Sequence, residues 1–101
     1  MNVHASEVVV ASTHPALPGH FPGRPIVPAA WLLTLLEAAC RDAYPATQVA
    51  GIVHARFRSP LSPGMTMRIE LERRADGGIA FACVGPAGRI ADGVLSAVEA
   101  T

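Results

Sequence analysis

The run Ala29-Ala30-Trp31-Leu32-Leu33-Thr34-Leu35-Leu36-Glu37-Ala38-Ala39-Cys40 is apolar at every position except Thr34 and Glu37. Wound as a helix it is hydrophobic on nearly every side, and a helix of that kind has to be enclosed. It falls far short of the about 20 residues that a membrane span requires. It therefore reads as a core helix that other parts of the chain must wrap.

The stretch before it, residues 14–28, holds five prolines and two glycines. Each proline fixes φ and removes a donor, and each pushes its predecessor toward extended geometry. Helix and central strand are both excluded, so the stretch is expected to be a stiff loop. Pro28 sits where a first helical turn accepts proline, because the missing N–H is one of the unpaired ones anyway. The sequence then predicts a helix over residues 28–42, ended by Tyr44-Pro45. This arrangement presents His20 beside a helix N-terminus whose free N–H groups carry partial positive charge. A base next to an oxyanion site is a workable catalytic pairing.

The rest of the chain reads as strand. Residues 7–13 contain Val8-Val9-Val10, a short β-branched strand. In residues 49–58, Val53, Ala55 and Phe57 alternate with His54, Arg56 and Arg58, predicting a half-buried strand. Met65, Met67, Ile69 and Leu71 alternate with Thr66, Arg68, Glu70 and Glu72. Asp76-Gly77-Gly78 predicts a hairpin turn, followed by a strand over 79–84 with Ile79, Phe81 and Cys83 on one face. Gly85-Pro86-Ala87-Gly88 turns again, and residues 89–99 form the last strand, bent at Gly93. The expected order is strand, loop, buried helix, then four antiparallel strands in hairpin sequence. The simplest enclosure is a single curled antiparallel sheet around the helix. That is an α+β hotdog fold, expected as one domain over residues 1–101.

Composition narrows the function classes. Net charge is zero and no Lys/Arg run exists, which argues against a nucleic-acid surface. Half the residues are hydrophobic and only 16% are charged, so a monomer has little polar cover and a buried oligomer face is expected. Cys40 and Cys83 lack metal-ligand spacing and read as reduced, buried thiols in a cytoplasmic protein. The N-terminus shows no signal-peptide pattern. His14, His20 and His54 do not form a metal cluster, since no ligand spacing supports one.

His20-Phe21-Pro22-Gly23-Arg24-Pro25-Ile26-Val27-Pro28 resembles the G-H-F-P-G-x-P-x-x-P-G signature of the (3R)-hydroxyacyl-acyl-carrier-protein dehydratases of fatty-acid synthesis. Ala55-Arg56-Phe57-Arg58-Ser59-Pro60-Leu61-Ser62-Pro63-Gly64 looks like that family's R-F-K/R-x-P-V-x-P-G strand and turn. The resemblance implies a hotdog homodimer with a continuous sheet, and a site built across the subunit interface. It also implies a reaction, β-elimination of water from a 3-hydroxyacyl thioester on acyl carrier protein or CoA, which needs no cofactor. By the same resemblance His20 is the base, the Ile26 carbonyl orients its ring, and the Ala29 amide steadies the thioester oxygen. Phe21 reads as core or tunnel wall.

The chain departs from the family at three places. The family's Glu or Asp lies fourteen positions after the histidine, and here that position is Thr34. Thr34 could hold a water or the substrate hydroxyl but cannot supply the acid. The nearest carboxylate is Glu37, one turn on at i+3 and on the same face. Arg41 is its i+4 partner, which gives Glu37 a structural reading as an ion pair beside the catalytic one. Ala29 replaces a glycine, and Met65 stands where aspartate is frequent. The brevity of the chain, without an N-terminal helical extension, resembles small dehydratase-like proteins associated with polyketide or aryl-polyene pathways. Arg56 and Arg58 read as a solvated strand face or as contacts to an acidic carrier protein.

Two functions of different class follow. One is a hydro-lyase with His20 as base and Glu37, or water at Thr34, as acid. The other is a non-catalytic acyl-binding subunit that forms a heterodimer with an active dehydratase. Thioester hydrolysis also suits the fold, but no nucleophile signal supports it.

Overall fold

The computed structural model describes residues 3–9, 29–59 and 64–99. The expected loop over residues 14–27, with His20, Phe21 and Ile26, lies outside the described residues, as do residues 60–63 of the later connector. The described elements are β1 (Val3–Val9), α1 (Ala29–Ala43), β2 (Thr47–Phe57), β3 (Thr66–Arg73), β4 (Ile79–Gly85) and β5 (Gly88–Glu99). The five strands form one antiparallel sheet in the order β1-β3-β4-β5-β2, and α1 packs on one face. This is the expected α+β hotdog arrangement.

The helix ends as its sequence dictates. Tyr44 N–H still closes the last turn on the Cys40 carbonyl at 2.7 Å, and Pro45 then stops it. The Tyr44 carbonyl accepts from both the Thr47 N–H at 3.0 Å and the Thr47 hydroxyl at 2.9 Å, which fixes the start of β2. Leu32, Leu36 and Cys40, at helical spacing, are each at most 3% exposed. They meet Met67, Ile69 and Leu71 of β3, Ile79, Phe81 and Cys83 of β4, and Ile90, Ala91 and Leu95 of β5. Period-2 alternation thus fixed the inner faces of β3 and β4 as predicted. The helix is less enclosed than its composition suggests: Leu33 and Leu35 are half-buried, and Thr34, Glu37, Arg41 and Asp42 are exposed.

Three expectations change. First, β2 does not pair with β3; it lies at the far edge beside β5, from Thr47↔Glu99 to Phe57↔Ala91. β1 already occupies the free side of β3, from Val3↔Glu72 to Val9↔Thr66. Pro60 and Pro63 in the connector also suit a crossing better than a tight hairpin. Second, that β1–β3 ladder begins the first strand at Val3, ahead of the valine run, because pairing recruits residues of modest β propensity. Third, β2 is not a simple alternation. Register shifts between Val49 and Gly51 and between Ile52 and His54 are bulges, and each re-aims the residues after it. Val53, skipped by the ladder at the second shift, is 64% exposed although it was expected on the buried face. Phe57 keeps the expected face, opposite the buried Ala91, but is 51% exposed.

The turns follow their sequence chemistry. Gly77 has φ 91°, the left-handed region that glycine tolerates. Its N–H donates to the Arg74 carbonyl at 3.0 Å, while Gly78 N–H donates to Asp76 Oδ1 at 2.9 Å. Gly93 is required for another reason: a Cβ there would lie 2.2 Å from the His54 carbonyl oxygen and 2.9 Å from Ala55 Cα. Backbone meets backbone at that point, so neither side can swing away. Gly93→Ala should therefore destabilise the fold by about 1–3 kcal/mol, seen as a lower urea midpoint. Gly51→Ala, whose Cβ would meet only Ser96 Oγ at 3.3 Å, should cost less.

Candidate active-site groove

Along the seam between α1 and β2 run two adjoining depressions. One, about 210 Å³, is lined by Leu33, Glu37, Val49, Ala50, Gly51, Ile52 and Leu95. The other, about 280 Å³, is lined by Glu37, Cys40, Arg41, Pro45, Thr47, Gln48 and Val49. Glu37 and Val49 belong to both, so the carboxylate stands between a mainly apolar half and a polar half. The bulge at Ala50 shapes the β2 wall, a use that bulges commonly serve beside active sites.

Of the nominated site residues that are described, Glu37 is the one that lines this groove. Thr34 is exposed one turn earlier on α1, and Ala29 is the first residue of the helix. The Ala29 amide is thus among the N–H groups that α-helical pairing leaves open. The expected ion pair between Glu37 and Arg41 is not formed among the described residues, which leaves the carboxylate unclaimed by that guanidinium. His20, Phe21 and Ile26 lie outside the described residues. Among those described, no group of three or more His, Cys, Asp or Glu side chains could hold a metal ion.

Arg56 and Arg58 are exposed, and they are not isolated. Arg58 Nε lies 2.5 Å from Asp92 Oδ2, and Arg89 reaches the same oxygen at 3.8 Å. Arg56 is the register partner of Asp92 across the β2–β5 ladder. The Arg58 hydrogen bond, aided by the charges of Arg58, Arg89 and Arg56, holds the Asp92 carboxyl below the usual range, against some desolvation. Sequence reasoning missed Arg89 and Asp92. Three residues apart on a regular strand they would face opposite ways, but the register shifts between Cys83 and Val84, with Val84 opposite Arg89 and Cys83 opposite Ala91. Ile90 is the extra residue, and it turns Arg89 to the side of Asp92. A two-residue alternation carries no signal for such a bulge.

Comparison with known proteins gives the family. The model described as ApeI-like, ApeI dehydratase, matches residues 2–94. The chain belongs to the ApeI-like dehydratase family. Among curated relatives, a 3-hydroxyacyl-acyl-carrier-protein dehydratase FabZ of Desulforamulus reducens is 38% identical over 71 residues, covering 62% of this chain and 50% of its own length. The FabZ of Myxococcus xanthus is 34% identical over 73 residues, with 62% and 48% covered. The chain thus spans about half the length of the curated relatives it matches. Among solved structures, the dehydratase heterocomplex ApeI:P of Xenorhabdus doucetiae superposes with TM-score 0.83 at 17% identity, covering 96% of this chain and 88% of that one. The R-hydratase PhaJ1 of Pseudomonas aeruginosa gives TM-score 0.71 at 18% identity, over 99% and 86%. These likenesses show the hotdog fold of this ApeI-like chain, and the family agrees with the resemblance carried by residues 20–28 and 55–64. No helix among the described residues is long and apolar enough to cross a membrane.

Within this ApeI-like fold the two thiols are chemically quiet. Desolvation first, and then the Glu37 charge, pushes Cys40 up to about 11. Desolvation, with Asp92 behind it, pushes Cys83 up to about 12. Folding thus favours the neutral thiols. That contribution is complete below the ordinary value of 9.0 and is lost as pH rises from there through about 11 and about 12. All eight Lys/Arg positions are arginine, so no lysine titration obscures the effect. Urea midpoints should fall across that alkaline range, and iodoacetamide should label neither cysteine of the folded protein at about pH 8.

Proposed function

We propose that this chain is a hydro-lyase that removes water from 3-hydroxyacyl thioesters in a fatty-acid or polyketide-type synthesis. The observation that carries the reading is the family match over residues 2–94, whose sequence includes the histidine motif. In the proposed reaction His20 takes the α-proton of the thioester, oriented by the Ile26 carbonyl, and the thioester oxygen rests on the Ala29 amide. The electron pair of the broken C–H bond forms the double bond as the β-hydroxyl departs with a proton, giving an enoyl thioester and water. No oxidation state changes overall, so no cofactor is called for. Glu37 in the groove supplies the departing proton, or water held at Thr34 does, and Phe21 walls the acyl chain. The unformed Glu37–Arg41 pair supports the first assignment.

The substrate handle is acyl carrier protein or CoA, with Arg56 and Arg58 as contacts to the carrier. The functional unit is a homodimer joined through β2. Among the described strands β2 has a partner on one side, and its Ile52, Val53 and Phe57 expose apolar surface, at 48%, 64% and 51%. Unpaired apolar edges of this kind invite pairing with another chain. The buried free thiols Cys40 and Cys83 suit a cytoplasmic setting.

A second reading has its own observation. Thr34 stands where the family carries its acid, which favours a weakly active or inactive acyl-binding subunit in a heterodimer with an active dehydratase. Loss of one general acid costs about 10²–10⁴-fold, against the at least about 10⁶-fold that enzymes supply.

Appearance of the enoyl-thioester absorbance with purified protein tests the choice. His20→Ala should abolish it, Glu37→Gln should lower it about 10²–10⁴-fold, and Thr34→Glu should raise it. If wild type and Thr34→Glu are both silent alone but wild type turns over when mixed with a related dehydratase carrying its acid, the subunit reading stands instead.

A further inference from the structure

The chemistry of the α1–β2 groove changes along the helix. The two walls run in opposite directions: Leu33 shares the smaller half with Ile52, and Arg41 shares the larger with Thr47 and Gln48. From Leu33 to Arg41 the helix rises about 12 Å, and from Ala29 to Arg41 about 18 Å. With the thioester oxygen at the Ala29 amide, as proposed above, the acyl chain first passes Leu33 and Ile52. It then passes Glu37 and ends beside Arg41 and Gln48. A methyl end has no use for a guanidinium and an amide, and it would have to displace the water that solvates them.

The polar groups at that far end are not equally free. The Thr47 hydroxyl is engaged by the Tyr44 carbonyl at 2.9 Å. Arg41 is exposed and takes part in none of the ion pairs among the described residues. A proton donor is uncharged when it acts, so with Glu37 in that role Arg41 is the one charge left among the residues that line the groove.

We propose that the groove selects acyl chains whose far end carries a carboxylate, and that Arg41 is the residue that reads it. The proposal deepens the dehydratase reading and rests on it for the direction in which the chain lies. The guanidinium fork offers a carboxylate two parallel N–H donors, and the Gln48 amide can add a third. Selection of this kind acts on a part of the substrate remote from the reacting carbons, so it belongs to binding and not to the chemical step.

The test compares 3-hydroxyacyl pantetheine thioesters in matched pairs, one ended by a carboxylate and the other by methyl, in a long and a short series. For chains long enough to span about 18 Å, kcat/KM of the full chain should favour the carboxylate about 3–10-fold, chiefly through KM. Short chains stop before Arg41 and should show no preference, which separates recognition of the far end from a general attraction of anions. Arg41→Gln should bring the long-chain ratio to about one, Arg41→Glu should invert it, and Arg41→Lys should keep part of it. Circular dichroism checks the fold of each, and Arg41→Lys and Arg41→Glu carry the test should Arg41→Gln misfold. Three results overturn the proposal: no preference or a methyl preference among long chains, a preference equal at both lengths, or a ratio that the folded variants leave unchanged. Calorimetric binding of the saturated acyl thioesters, which lack the departing hydroxyl, separates this outcome from the reaction. The same preference in binding without any turnover keeps the selectivity and sinks the dehydratase. Turnover without preference keeps the dehydratase and sinks the selectivity, and neither binding nor turnover sinks both.

Discussion

The packing of one helical stripe against one sheet face governs everything else in this protein. Leu32, Leu36 and Cys40 fill the space over β3, β4 and β5, and the core they form holds the largest of the fully buried side chains among the described residues, Leu36, Met67, Ile69, Leu71, Ile79 and Leu95 among them. Burial of a single side chain of this kind is worth about 1.5–3 kcal/mol, far more than any of the exposed ion pairs. Once the stripe is seated, the helix can rotate little about its own axis. Glu37 is thereby directed toward β2, and the position of the groove follows.

The side of α1 turned away from that stripe explains why a chain half hydrophobic in composition still presents Thr34, Glu37, Arg41 and Asp42 to solvent. One sheet of five strands covers one side of a helix. Leu33 and Leu35 are left half-covered, and Leu33 lies beside a strand edge that is also apolar. Among the described residues, the incomplete cover of Leu33 and the unpaired edge of β2 occur at the same seam. A second subunit added there, as proposed, would cover both.

Much of this was legible in the sequence, and the limits have a common cause. Alternation at Met67, Ile69 and Leu71 and at Ile79, Phe81 and Cys83 identified inner faces because β3 pairs with β1 and with β4 without a register shift over those residues. Tyr44-Pro45 and Asp76-Gly77-Gly78 marked ends and turns because their constraints are local. Where the ladder slips, at Ala50, Val53 and Ile90, alternation misassigns faces, since a bulge is settled between two strands and not within one. The far-edge position of β2 was hidden for a similar reason: it depends on β1 having taken β3 first. For the site, the helix spacing was enough to bring Glu37 forward as a candidate. The pairing of Arg58 with Asp92 depended on the β2–β5 register, and the approach of Arg89 on a bulge, so neither could be read.

The contact between Gly93 and the His54 carbonyl carries one more consequence. Because backbone abuts backbone there, β2 cannot slide or tilt away from β5, and the Tyr44 carbonyl tethers its first residue to the end of the helix. One wall of the groove is therefore fixed. In the proposed reading, room for a bulkier or longer acyl chain would come from the other wall, by α1 gliding sideways over the sheet in the small shear steps that packed helices permit, so the compliance of the Leu32–Leu36–Cys40 contact would set the range of chain lengths.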